Sequence, residues 1–128
     1  MISISEVILI QDILIDKFAG LRGIRDMGLL ESAVSRPFQT FDNNDLYPTV
    51  IKKAAALIES VVTNHPFIDG NKRIGYVIMR LFLLDNGFDI ISKQDDKYDF
   101  VIKIATGKLD FEKICAWIEE HVQERNRH

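Results

Sequence analysis

A chain of 128 residues has the length of one domain, and a domain of this size buries roughly two thirds of its unfolded surface. Its composition, 47% hydrophobic and 27% charged, is that of an ordinary globular protein. A net charge of −3 argues against a general binder of nucleic acid or anionic membranes, which would be basic, and leaves room only for a local basic site.

The apolar residues recur with a helical period along nearly the whole chain. Ser3 and Glu6 have capping-box spacing and predict a first helix running to about Phe18. The opening "MISISEVILIQD" has no basic region and reaches Asp12 early, so no signal peptide is expected. Gly20, Gly23 and Gly28 in "AGLRGIRDMG" make the next stretch too glycine-rich for helix, and a mobile or hairpin-like loop is predicted. "LLESAVSR" reads as a short helix stopped by Pro37, and "FQTFDNNDLYP" as a polar connection whose Pro48 suits a first helical turn. Apolar positions 50, 51, 54, 58, 61 and 62 predict one helix from Val50 to Thr63 with a buried stripe.

A helix after "HPFIDGNKRIG" (residues 65–75) places Ile74, Val77, Ile78, Leu81 and Phe82 on one face. Met79, Leu83 and Leu84 make its other faces apolar, so it is expected at the centre of the fold, ending at the C-cap signal Asn86-Gly87. "FDIIS" reads as a short extended piece, and two more helices are predicted near 95–106 and 110–125, with "ATGKLD" turning between them. The sum is a single all-α domain, 1–128, of about six helices and one small hairpin. The longest nearly apolar run, Ile74 to Leu84, is too short to cross a bilayer and contains Arg80, so no membrane association is expected. The single Cys115 sits in the amphipathic "FEKICAWIEEHV" and reads as a buried thiol. A reducing, cytoplasmic setting fits best.

The chemistry concentrates in residues 65–75. His65 precedes a proline and should end a helix. Asp69-Gly70 is a turn dipeptide and Asn71 a good N-cap. Lys72 and Arg73 then fall in the first helical turn, where each cation opposes the helix dipole by about 0.3–1 kcal/mol. A bound anion would offset that cost, because free N–H groups at a helix start beside Lys and Arg make a phosphate site. Asp69 would add a hard oxygen ligand for magnesium carried by a nucleotide. A histidine side chain titrates near neutral pH and suits a general base. Taken singly these signals are weak: a histidine before proline is more often structural, and Lys-Arg at a helix start is most often solvated. The residues alone support an anion-binding loop. It is not a P-loop, since GxxxxGK[ST] is absent, and Asp42, Asn43, Asn44 and Asp45 lack the spacing and glycine of an EF-hand.

His65-Pro66-Phe67-Ile68-Asp69-Gly70-Asn71-Lys72-Arg73 resembles the signature of the Fic/Doc superfamily, H-x-F-x-[D/E]-[G/A]-N. "GLRGIRDMGLLESAVSRPF" resembles the flap region and second helix of the Doc (death-on-curing) branch, and "LFLLDNGFDI" and "ATGKLDFEKICAWI" resemble the family's later helices, so the likeness covers nearly the full chain. The AMP-transferring Fic enzymes read G-N-G-R-x-x-R; here Lys72 replaces the second glycine and Tyr76 the second arginine, as in the Doc branch. The resemblance implies a compact Fic/Doc helical bundle with a small hairpin-like flap. It also implies a type II toxin that acts as a protein kinase, moving the γ-phosphate of ATP to a threonine or serine of a translation factor such as elongation factor Tu.

By position, the resemblance makes His65 the acceptor of the target's hydroxyl proton. Asp69 would engage Mg2+ and orient the nucleophile, and Asn71 with the N–H groups around Gly70 would hold phosphate. Arg73 would neutralise the transferred group, and Lys72 would select a reversed ATP. Phe67 would anchor the loop. The glycine-rich segment, with Gly23, Ile24, Arg25 and Asp26, would be the flap along which the target lies. Related proteins can be locked by a helix reading [S/T]-x-x-x-E-[G/N]. That pattern is missing here ("HVQERN" follows Glu124 with Arg125), so a separate antitoxin with a C-terminal segment that folds on binding is expected. The alternatives are AMP transfer, disfavoured by Lys72, and a non-catalytic binding module, disfavoured by the intact His65, Asp69, Asn71 and Arg73. An RNA-cleaving toxin has no support from the acidic net charge.

Overall fold

The computed structural model describes residues 2–125 and contains six α-helices: α1 (Ile4–Phe18), α2 (Met27–Ser35), α3 (Val50–Asn64), α4 (Asn71–Asp85), α5 (Gln94–Ala105) and α6 (Phe111–His121). Four of them start as sequence chemistry dictates. The side chains of Ser3, Asp26, Thr49 and Asp110 each accept a hydrogen bond from the N–H three residues on, satisfying one orphan donor of the first turn. Pro48 lies just outside the Thr49 cap and not within the helix.

The core forms between α3 and α4. Along α3 the run Ala54–Ile58 is buried together with Ser60, Val61 and Val62. Along α4, Ile74, Gly75, Ile78, Met79, Phe82 and Leu83 are buried at helical spacing. Gly75 lets the two backbones approach: a Cβ there would lie 2.8 Å from Val62 Cγ2. The sequence put Leu81 on the buried face, yet Leu81 is 41% exposed while Met79 and Leu83 are fully buried. Both faces of α4 are apolar, so periodicity cannot choose the one that meets α3. The hub is α3, which packs on α2, α4, α5 and α6.

The C-terminal expectation needs correction. The helix expected over 110–125 ends at His121, and Val122–Glu124 form strand β4. β4 pairs antiparallel with β3 (Phe88–Ile90), matching Ile90 to Val122 and Phe88 to Glu124. Gly87, at φ 89°, turns the chain out of α4 and presents the β3 edge, and a long-range partner of that kind outcompetes one more helical turn. Stacked rings of Phe100, Trp117 and His121 brace this end.

The stretch expected as a polar connection instead contains a small hairpin, β1 (Thr40–Phe41) and β2 (Asn44–Asp45), joined through Asp42 and Asn43 at φ 52° and 64°. These are the left-handed conformations of a type I′ turn, which Asp and Asn tolerate. The acidic cluster that invited a calcium reading is this turn. The glycine-rich segment 20–28 does not fold on itself; it pairs with the loop between α3 and α4. No helix among the described residues is long and apolar enough to cross a membrane.

Candidate active site

The loop from α3 to α4 carries the residues singled out in the sequence, and other parts of the chain hold it in shape. α3 stops at His65, which is left-handed at φ 51°, ψ 60° and donates its N–H to Val61 O. Its side chain is exposed and makes no hydrogen bond among the described residues. Pro66 and Phe67 then turn inward, and Phe67 is fully buried, as expected of an anchor.

Asn71 was expected to cap α4. The structure instead caps α4 with Gly70, left-handed at φ 79°, and places Asn71 as the first helical residue. The buried Asn71 amide faces back into the loop: its Oδ1 accepts from Phe67 N–H at 3.0 Å and its Nδ2 donates to Phe67 O at 2.9 Å. Without a side-chain cap, the N–H groups of Asn71, Lys72 and Arg73 have no partner among the described residues. Free donors at the positive end of a helix form a ready anion site. With its side-chain amide bonded to the Phe67 backbone, Asn71 leaves its own backbone N–H free among the described residues.

Asp69 is exposed, and its carboxylate is already oriented. Oδ1 accepts from Gly70 N–H at 2.8 Å and Oδ2 from Leu21 N–H at 3.2 Å. Each oxygen keeps a free lone pair. One carboxylate suits magnesium that brings its other ligands as phosphate and water, and no cluster of three or more His, Cys, Asp or Glu side chains that could hold a metal by themselves exists among the described residues.

The loop opens on a groove of about 700 Å³ whose walls include Asp69, Gly70, Asn71, Lys72 and Arg73. The end of α1 contributes Lys17 and Phe18, and α5 contributes Lys97 and Tyr98. Lys17, Lys72 and Lys97 have no carboxylate within salt-bridge distance among the described residues. Arg80 also lines the groove but is held by Asp89 through a two-point ion pair at 2.8 and 3.1 Å, which keeps the Asp89 carboxyl below its ordinary range. Burial pushes the Tyr76 hydroxyl up to about 12, so it stays protonated. The Arg73 guanidinium lies 4.0 Å from the centre of the Phe18 ring, a cation–π contact within the groove wall. His65 is not part of the groove wall; it stands at the α3 end of the loop.

The segment 20–28 lies along the loop. Ile24 bridges Phe67 in antiparallel fashion, with Arg25 N–H donating to Pro66 O at 2.8 Å and Ile68 N–H to Gly23 O at 3.1 Å. In that pattern the N–H and C=O of Ile24 itself point away from the loop. Asp26 caps α2, and the Arg25 side chain reaches the carbonyls of Asn64 and His65.

Sequence reasoning missed Gln11. It is 2% exposed, exchanges bonds with the N–H and C=O of Gly23 at 3.2 Å each, and donates to Asp69 O at 3.5 Å. The signal was present, because Gln11 stands between Val7 and Ile15 on the buried stripe of α1. A polar residue in such a register has a partner to satisfy. The groove walls on α1 and α5 left no comparable trace.

A family model described as the Fic/DOC family matches residues 1–83. The chain belongs to this family. It is 39% identical to "Toxin Doc" of Mycolicibacterium smegmatis, over 77% of this chain and 78% of that protein. It is 34% identical to a Fido domain-containing protein of Dictyostelium discoideum, over 70% and 66% of the two chains. Identity to "Protein kinase doc" of Escherichia phage P1 is 26%, over 89% of each chain.

Proposed function

We propose that this Fic/DOC protein is a Doc-type toxin that transfers the γ-phosphate of ATP to a threonine or serine of a translation elongation factor. The observation that carries the reading is the start of α4. Among the described residues its first three N–H groups are unpartnered, they belong to Asn71, Lys72 and Arg73, and they open on a groove with further lysines that make no ion pair there. Phosphoryl transfer demands mainly positioning and charge stabilisation, which such a site supplies. The likeness to "Toxin Doc" and "Protein kinase doc" supports the choice among anion-binding functions.

In this reading the triphosphate lies on the α4 N-terminus with its γ-group toward His65. The exposed imidazole takes the proton from the target hydroxyl. The hydroxyl oxygen bonds to the γ-phosphorus as the bond from that phosphorus to the β,γ-bridging oxygen breaks, and ADP leaves. Arg73 swings from Phe18 to the transferred group. Asp69, oriented by Leu21 and Gly70, would hold Mg2+, which when bound neutralises phosphate charge. Lys72 fills space beside the phosphates and favours the reversed nucleotide. The outward N–H and C=O of Ile24 offer a target segment an edge to pair with. An antitoxin segment that folds on binding would close the site.

The test is ATP labelled at the α- or the γ-phosphate, incubated with the purified chain and a bacterial lysate. Label is expected to enter protein from the γ position only, with the mass of one phosphoryl group on threonine or serine. Incorporation of the α label would establish AMP transfer and overturn the kinase assignment.

A further inference from the structure

His65 has a backbone conformation that an L-residue adopts at a cost, φ 51° and ψ 60°, at the C-terminus of α3. That backbone fixes the Cα–Cβ direction from which the imidazole extends, so whatever holds the backbone sets where the base can reach. The end of a helix leaves carbonyls without donors and carries the negative end of the dipole. Here Arg25 supplies what is missing. Its Nε donates to His65 O at 2.7 Å and its Nη2 to Asn64 O at 2.7 Å. Its own backbone N–H donates to Pro66 O at 2.8 Å. Three successive carbonyls, on either side of the left-handed residue, are thereby gripped by one arginine. A planar guanidinium can bridge two carbonyls in fixed geometry, which an ammonium cannot do. Arg25 makes no ion pair among the described residues, so nothing else there competes for this group.

The structure assigns Arg25 as the positioning residue of His65: its side chain faces the end of α3 and not a target lying along the segment. The grip also couples two regions. Gly23 to Asp26 pair with the loop, so displacement of the segment carries the clamp away from His65. This assignment rests on the proposed role of His65 as base, but its structural half does not depend on it.

The experiment uses the full chain with Arg25→Ala and Arg25→Lys, read in two ways. Backbone 13C shifts of His65 report whether it remains left-handed. In Arg25→Ala they are expected to move toward averaged values while the rest of the spectrum stays dispersed. In γ-phosphate transfer, kcat is expected to fall about 10- to 100-fold, the scale of a misplaced catalytic group, with KM for ATP little changed. Added guanidinium should restore part of the loss in Arg25→Ala and none in His65→Ala. Arg25→Lys should be intermediate, and it decides the matter if the alanine variant does not fold. Unmoved His65 shifts together with wild-type kcat would overturn the assignment. If the wild type transfers no phosphoryl group, the kinase reading falls, while the His65 shifts still decide whether Arg25 holds that residue.

Discussion

The chain makes two tight turns from nearly the same materials and puts them to opposite uses. Asp42 and Asn43 join β1 to β2 at positive φ, and His65 and Gly70 bracket the α3–α4 loop at positive φ. The first turn is exposed, and its side-chain bond is local, from Asn44 Nδ2 to Asp42 O. Phe41 beside it is 75% exposed. The second turn is gripped from three directions: by Arg25 at its entry, by Asn71 at its middle, and by Gln11 and Leu21 N–H at its exit. An Asx-rich turn can be left loose when it only reverses the chain. It must be over-determined when its side chains have to meet a substrate to within a fraction of an ångström.

The largest expected difference between the turns is in activity. His65→Ala should lower phosphoryl transfer by about 10² to 10⁴, the usual contribution of a general base, with the melting temperature nearly unchanged because the side chain is exposed and makes no hydrogen bond among the described residues. Rate and thermal melting measured on one preparation check both halves. No single substitution at Asp42 or Asn43 should slow transfer measurably.

Next comes stability. Asn71→Ala leaves the buried N–H and C=O of Phe67 without partners, at about 1–3 kcal/mol for each group. Urea unfolding should show a loss of about 2–4 kcal/mol, given some water access after truncation. An unchanged midpoint would mean that the loop is not held from inside.

A smaller effect is expected at Gly70. Its φ of 79° is left-handed, while an added Cβ would make only ordinary contact with Ile74 Cδ1 at 3.5 Å. Gly70→Ala should therefore cost about 1–2 kcal/mol through backbone strain alone, seen as a lower urea midpoint. The hairpin should respond least and in the opposite sense. Asn43→Gly relieves a left-handed residue at φ 64° and is expected to change stability by under about 1 kcal/mol, neutral to favourable, by the same measurement. If Asn43→Gly destabilised as much as Asn71→Ala, the contrast between a loose and a clamped turn would be wrong.

The sequence by itself determined the six helices, apart from the end of the last, and brought the candidate site residues into one loop. Local chemistry is sufficient there: Ser3 with Glu6, the stripe of Val50–Thr63, and a Lys-Arg pair at a helix start are read within one or two turns of chain. It also placed His65 at a helix end and Phe67 inside. Tertiary structure decided which of two apolar faces of α4 is buried, because the choice depends on where α3 lies. It turned Val122–Glu124 from helix into strand, because a β3 edge waited some 35 residues upstream in the chain, beyond the reach of any local pattern. It moved Asn71 from cap to internal clamp, since the competing partner, the Phe67 backbone, becomes available only when the loop closes. It also gave Arg25 and Gln11 their work. Contacts across 40 and 58 residues join Arg25 to His65 and Gln11 to Asp69, and such pairings leave no periodicity in a sequence because they exist only once the helices have packed.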